Sequence, residues 1–203
     1  MALCNRVTPE GAIIADPARG LLTGNRGILH GGPRPRLWRN RAWITCRLAF
    51  RGHRQPLQAA GTWTPLFFLD EAVALSAGHR PCALCRREAW ERFRTAWTDA
   101  AGGPVPRAAE IDGALHAARI VPRRGTKVTF AAGIADLPDF AFLRTDDGPA
   151  MVFGKSLLPW TPAGYGAPLP RPAHGEAEVL TPRPTVEALR AGYHPFLHPS
   201  AGA

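Results

Sequence analysis

The feature that most constrains the fold of this chain is a pair of cysteines, Cys82 and Cys85, at the start of a helical pattern. Asp70 is a good N-cap for a short helix that ends at Gly78, and a longer helix is expected to open over 81–85. Two thiols three residues apart, one just before a helix and one in its first turn, can both reach one metal ion. The helix N-terminus also favours the thiolate form. The spacing therefore predicts a metal site, with zinc as the expected ion in a reducing compartment.

Two other interpretations of the cysteine pair stay open. A redox dithiol with this spacing usually ends a strand within a βαβ unit, whereas this pair follows a helix and a glycine stop. The two thiols can also be inert and buried. A structural zinc site needs four ligands, and the pair supplies two. The remaining donors in the first half of the chain are the thiols Cys4 and Cys46 and the imidazoles His30 and His53.

The positive charge is concentrated in the first half of the sequence. The 203 residues carry a formal net charge of +9, and all the basic residues except Lys127 and Lys155 are arginines. Residues 1–100 have a net charge of +8, and residues 101–203 have a net charge of +1. Seven arginines and no acid lie within 34–54. A surface of this kind favours polyanionic partners, nucleic acid above all. An acidic small substrate or protein, or a solvated basic face, are the alternatives.

Other classes of protein are disfavoured by composition. No apolar run approaches the roughly 18 residues that a membrane helix needs, so no membrane partner is expected. The sequence after Met1 has no apolar stretch typical of a secretory signal, and four cysteines are too few for a disulfide scaffold. With 45% hydrophobic and 20% charged residues, we expect a globular cytoplasmic protein.

The chain is expected to form two domains of α+β class. The Gly-Gly-Pro-Val-Pro stretch at 102–106 and the change in charge place a boundary between a basic domain over 1–101 and a small domain over 107–203. The first has short strands, among them one over 42–50, and two helices; the second is rich in β structure. An aromatic stripe at Trp90, Phe93 and Trp97 is expected to pack one against the other.

The residues around the cysteine pair resemble the metal-binding domain at the N-terminus of bacterial Ada-type alkylation-repair proteins. That domain ends in an aromatic strand, a short Glu-Ala-rich helix and a Gly-aromatic-Arg-Pro-Cys-x-x-Cys motif. The matching residues here are Phe67, Phe68, Glu71, Ala72, Ala77, Gly78, Arg80, Pro81, Cys82 and Cys85. His79 stands where the family has an aromatic residue. Upstream, Asp16, Pro17, Gly27 and Ile28 match the family's entry segment, so the resemblance covers about residues 14–90.

The resemblance implies a zinc site with an altered ligand set. The family's first cysteine binds zinc and accepts a methyl group from a DNA phosphotriester; here His30 takes its place, and an imidazole can bind zinc but cannot do that thiolate chemistry. The second cysteine of the family is missing, and Cys46 can supply the absent ligand. The expected set is therefore His30, Cys46, Cys82 and Cys85, with Cys4 as substitute for an upstream ligand.

The resemblance further implies contact with DNA around the metal. Three arginines flank the cysteine pair, and an arginine-rich strand with Trp38 and Trp43 interleaved precedes it. The expected nucleic-acid-binding residues are Arg80, Arg86, Arg87, Arg39, Arg41 and Arg47. For the two tryptophans, packing in the core is the favoured role.

The second half contains one constellation with catalytic potential. Asp112 and His116 are i, i+4 neighbours on an expected helix, and an Asp-oriented histidine can act as a general base. A surface ion-pair ladder or a buried histidine explains the same pattern. The predicted function is a zinc protein that engages nucleic acid, DNA in a repair or processing context. The alternatives are a nuclease or hydrolase that uses Asp112 and His116, and a methyl acceptor or redox sensor with a reactive Cys46 or Cys4.

Overall fold

A computed structural model describes residues 2–30, 36–52, 54, 56–57, 61–121 and 124–202 of the chain. The fold is α+β, as the sequence predicts. Four α-helices occur among the described residues: α1 (Glu71–Ser76), α2 (Arg87–Ala101), α3 (Ala108–Arg119) and α4 (Arg183–Arg190). The Asp70 carboxylate caps α1 by accepting a bond from the Val73 N–H at 3.0 Å, as expected for an Asp at this position.

The first sheet carries the cysteines. In chain order its strands are β1 (Cys4–Val7), β2 (Ile13–Ala15), β3 (Leu22–Asn25), β4 (Ile44–Arg47), β5 (Leu66–Phe68) and β6 (Arg80–Pro81). They lie in the spatial order β2-β1-β5-β3-β4-β6. Strand β4 runs parallel to β6, with Thr45 opposite Pro81. This register brings Cys46, the next residue on β4, beside Cys82, the residue that follows β6.

The second half of the chain supplies the other sheets. In chain order the strands are β7 (Ile120–Val121), β8 (Thr126–Lys127), β9 (Phe130–Gly133), β10 (Phe142–Thr145), β11 (Gly148–Phe153), β12 (Ser156–Thr161), β13 (Gly164–Tyr165), β14 (Leu169–Pro170) and β15 (Glu176–Val179). Strands β7 and β8 form a small antiparallel pair. The others form a sheet in the order β13-β12-β11-β10-β15-β9, with β14 beside β12.

Both hydrophobic clusters of the core contain residues from both halves of the chain. One joins Trp90 and Phe93 of α2 to Leu115 of α3 and to Leu143 of β10. The other joins α1 and β5 to β10, β11 and β12. The aromatic stripe on α2 thus packs in the core as expected, and it does so together with residues beyond position 106. The division into domains over 1–101 and 107–203 stays a prediction.

Local structure differs from the expectation in two places. Helix α2 begins at Arg87, not within 81–85, so both Cys82 and Cys85 lie in the turns that precede it. The strand expected over 42–50 is regular only over β4, and the two apolar residues that follow it, Leu48 and Ala49, are exposed and not packed in the core. Among the described residues, no helix combines the length and the apolar character needed to cross a membrane.

Candidate metal centre and the charged residues around it

Three of the four cysteines lie close together at the edge of the first sheet. The thiol sulfurs of Cys46, Cys82 and Cys85 all lie within 4.8 Å of one another. Cys85 is buried, and the other two are partly buried. Three partly or fully buried sulfur donors are therefore close enough together to share one ion.

Backbone bonds hold the turn that carries two of these thiols. The Cys82 N–H donates to the Thr45 carbonyl oxygen at 2.9 Å, and the Thr45 hydroxyl donates to the Arg80 carbonyl oxygen at 3.0 Å. The Leu84 N–H points back at the Cys82 Sγ at 3.4 Å. Such an N–H···S contact stabilises negative charge on the sulfur, which is the form that binds a metal.

The cysteines also shift one another's acidity. Hydrogen bonds from Cys46 and Cys85 lower the pKa of the Cys82 thiol far below its usual value, and the backbone N–H groups of Leu84 and Cys85 add to the effect. Hydrogen bonding to Cys82 and Cys85, together with burial, raises the pKa of Cys46. A divalent cation fits this donor set, because cysteine thiols give up their protons when they bind a metal.

The other proposed ligands lie apart from this group. The His30 Nδ1 lies 2.6 Å from the Thr64 hydroxyl, and the Cys4 thiol is exposed and donates to the Ile13 carbonyl oxygen at 3.4 Å. Neither belongs to the three-cysteine group found among the described residues. Their assignment as ligands stays a prediction, and His53 lies outside the described residues.

Two of the arginines expected to contact nucleic acid are in the interior. Arg80 is 5% exposed, and its Nε and Nη2 each donate to an Asp112 carboxylate oxygen at 2.8 Å. Arg86 is 8% exposed and donates to Glu71 at 2.7 Å. Each of these arginines lies within two residues of a cysteine in the sequence. The two ion pairs therefore hold the cysteine-bearing turn against α1 and α3.

The remaining arginines expected at the interface are exposed. Arg39 and Arg41 precede β4, and Arg47 directly follows Cys46. Arg87 begins α2 and forms an exposed ion pair with Glu91 at 3.0 Å. A cavity of about 400 Å³ adjoins this region. Its lining residues are Leu21, Leu22, Arg47, Leu48, Arg86, Glu88, Ala89, Arg92 and Phe196.

Asp112 and His116 each have other side-chain partners in this structure. Both oxygens of Asp112 accept bonds from Arg80. The His116 Nδ1 lies 3.3 Å from the Arg119 Nη2, and the ring contacts Trp38 edge-on at a centroid distance of 5.8 Å. Burial and the nearby Arg119 and Arg41 lower the pKa of His116. The pair's expected role as acid and base stays a prediction that this geometry does not favour.

A second charged region was not foreseen from the sequence. Arg26 and Arg119 are almost fully buried, and their guanidinium carbons each lie 4.0 Å from the centre of the Trp43 ring. With Lys127 they line a cavity of about 240 Å³, which we call the arginine pocket. The sequence shows how many arginines there are, but nothing in their spacing shows which of them are buried.

Comparison with known proteins does not place the chain in a family. No protein-family model, no curated protein sequence and no solved structure matches it. Its function is therefore inferred from its own residues.

Proposed function

We propose that this is a cytoplasmic zinc-binding protein that engages nucleic acid, DNA in particular, in a repair or processing context. The observation that carries the proposal is the convergence of the Cys46, Cys82 and Cys85 sulfurs within 4.8 Å. Zinc is the ion we propose, because soft thiolate donors favour it among the common divalent cations.

The proposed role of the metal is structural. Zinc bound by these thiolates would fasten β4 to the turn before α2, which are otherwise joined by few backbone bonds. A tetrahedral site needs a fourth ligand, for which His30 is our candidate from the resemblance to Ada-type domains. That resemblance, over about residues 14–90, also supports a context of DNA repair.

Exposed arginines next to the cysteines support the choice of partner. Arg47 and Arg87 each lie within two residues of a cysteine, and Arg39 and Arg41 belong to the same basic segment. Arg80 and Arg86 are not part of the interface we propose, because their guanidinium groups are paired in the interior. Each phosphate neutralised by an exposed arginine would release counterions, so the interaction would depend steeply on salt.

The metal site is tested by elemental analysis of freshly reduced protein. We expect about one zinc per chain in the wild type, a large loss in Cys46→Ser and Cys82→Ser, and no change in Cys4→Ser, the matched control for the loss of a thiol. His30→Ala should lower zinc affinity if His30 is the fourth ligand. Metal-free wild-type protein would overturn the proposal. Rapid alkylation of one thiol in that protein would favour the thiol acceptor or sensor instead.

The partner is tested by binding to short DNA and RNA duplexes over a range of salt. We expect the logarithm of the affinity to fall with the logarithm of the salt concentration, by about 0.9 for each phosphate contacted on B-DNA. The double variant Arg47→Gln/Arg87→Gln should weaken binding and flatten this slope. Arg190→Gln is the control, since Arg190 also forms an exposed ion pair on a helix. A slope near zero in the wild type would overturn the nucleic-acid proposal.

A further inference from the structure

The arginine pocket holds more positive charge than the described residues around it neutralise. Arg26, Arg119 and Lys127 line it, and Glu10 is the one carboxylate among its lining residues. Glu10 lies 3.5 Å from Arg144, which competes for its charge. Two arginines and a lysine thus face a small cavity whose lining contains a single carboxylate.

The hydrogen bonds made by these cations go to neutral acceptors. Arg119 donates to the carbonyl oxygens of Gly78 at 2.8 Å and Arg41 at 2.6 Å. The Lys127 Nζ donates to the Ser76 carbonyl oxygen at 2.6 Å. Carbonyl dipoles and the Trp43 ring stabilise a cation, but they do not cancel its charge. The buried ion pairs of Arg80 and Arg86 have full carboxylate partners, so this arrangement is not the rule for buried arginines in this protein.

Two donor atoms in the pocket's arginines have no hydrogen-bond partner among the described residues. They are the Arg26 Nη2 and the Arg119 Nε, in side chains that are 1% and 2% exposed. A buried polar atom without a partner is costly, so it indicates a missing ligand, ion or water. Gly11 lines the pocket on the Arg26 side, and a Cβ built there would lie 3.7 Å from the Arg26 Nη2.

His79 completes the wall behind Arg26. Its Nε2 lies 3.3 Å from the Arg26 Nε and accepts its hydrogen. Burial, with Arg26 and Arg119 nearby, lowers the pKa of His79 well below its usual value. The histidine is therefore neutral, and it orients the Arg26 guanidinium without adding to the positive charge.

We propose that the arginine pocket is a binding site for a small oxyanion of the phosphate class, held by Arg26, Arg119 and Lys127. A planar guanidinium suits the geometry of phosphate oxygens, and a lysine adds a point charge. The volume of about 240 Å³ is below that of pockets for drug-sized ligands, so the ligand is inorganic phosphate or a small phosphate monoester. This site shares no residue with the cysteine centre.

Sulfate is the probe for a first test, because its charge stays at −2 across the working pH range. Titration calorimetry and thermal unfolding would compare sodium sulfate with sodium chloride at equal ionic strength. We expect saturable sulfate binding by the wild type at millimolar concentrations and a rise in Tm with it. Lys127→Gln should weaken the affinity at least about tenfold, while Lys127→Arg should retain it.

The second lysine of the chain gives a matched control. Lys155 is exposed, and Lys155→Gln removes the same charge from the surface, so it should bind sulfate as the wild type does. Sulfate also stabilises proteins in general by exclusion from their surface, and this effect is common to all variants. A sulfate effect that is equal in Lys127→Gln and Lys155→Gln, or absent from the calorimetry of the wild type, would overturn the proposal.

Inorganic phosphate and a small phosphate monoester, titrated in the same way, distinguish the two sources of the anion. Tighter binding of the ester than of inorganic phosphate would assign the pocket to a phosphorylated small molecule. Equal or weaker binding of the ester would assign it to the free ion. Circular dichroism of each variant confirms that it is folded before binding is compared.

Discussion

The buried arginines next to the cysteines and those of the arginine pocket have different kinds of partner. Next to the cysteines, Arg80 and Arg86 are each paired with a buried carboxylate, Asp112 and Glu71. In the arginine pocket, Arg26 and its neighbours have carbonyl oxygens and an aromatic ring for partners. Next to the cysteines, the charge of each buried arginine is therefore balanced by a carboxylate, and only the thiolates add unbalanced charge. The arginine pocket lacks a matching negative charge.

This difference separates the ligands that each side can take. The cysteine side has sulfur donors to offer, and its two buried arginines are paired with carboxylates, so its interior suits a cation. The arginine pocket has unpaired N–H donors and positive charge, so it suits an anion. A change of charge should therefore have opposite effects on stability at the two places.

The largest effect on stability is expected from removing a carboxylate that balances a buried arginine next to the cysteines. Asp112→Asn removes the charge that faces Arg80 and leaves a buried guanidinium uncompensated. We expect the free energy of unfolding to fall by about 3–5 kcal/mol, measured by urea denaturation. Asp146→Asn, at an exposed turn, is the control and should change it little. A small loss in Asp112→Asn would mean that Arg80 does not depend on its partner and would remove the contrast.

The opposite sign is expected in the arginine pocket. Lys127→Gln removes a charge with little compensation and keeps an N–H donor for the Ser76 carbonyl oxygen. In chloride buffer at pH 7 we expect the free energy of unfolding to rise by about 2 kcal/mol, because an uncompensated charge no longer has to be buried. Destabilisation by this substitution, with no anion present, would show that the positive charge is already balanced.

The same lysine should make stability depend on pH. Burial, and next the charge of Arg26, lower the pKa of Lys127 to about 7; Glu10 acts in the opposite direction, and Arg144 and Arg119 add smaller lowering effects. In the unfolded chain a lysine keeps its ordinary pKa near 10.4, so between these values the unfolded state holds more protons. The free energy of unfolding should therefore rise with pH, by about 1 kcal/mol from pH 7 to pH 8.

Lys127→Gln is the comparison for this effect, since it removes the lysine and keeps every other titratable residue of the chain. The difference between the two unfolding curves should be present at pH 7 and shrink as the pH approaches 9. A difference that stays constant over this range would show that Lys127 keeps its proton in the folded state.

The smallest effect is expected at the exposed arginines. The Arg87–Glu91 pair is open to solvent, and such pairs contribute little to stability. Arg87→Gln should change the free energy of unfolding by less than about 0.5 kcal/mol. This stability measurement supports the use of Arg87→Gln in the nucleic-acid experiment, because a loss of binding there would not reflect unfolding.

Local patterns predicted much of the fold around the cysteines. The N-cap at Asp70 and the stop at Gly78 predicted α1, and the helix expected to carry Asp112 and His116 is α3. These features depend on neighbours within one or two turns. The start of α2 was misplaced because Cys82 to Arg86 form turns that pair with β4, and no local pattern reports that pairing.

The sequence by itself determined that two cysteines lie three residues apart before a helix, and that the first half is strongly basic. Spacing and composition are properties of the chain, so no fold is needed to read them. Only the tertiary structure decided that Cys46 joins the pair, through the parallel register of β4 and β6. It also decided which arginines are buried with a carboxylate and which without one. Burial and pairing depend on residues far apart in the chain, such as Arg26 and Arg119, and packing alone brings both of these against the ring of Trp43.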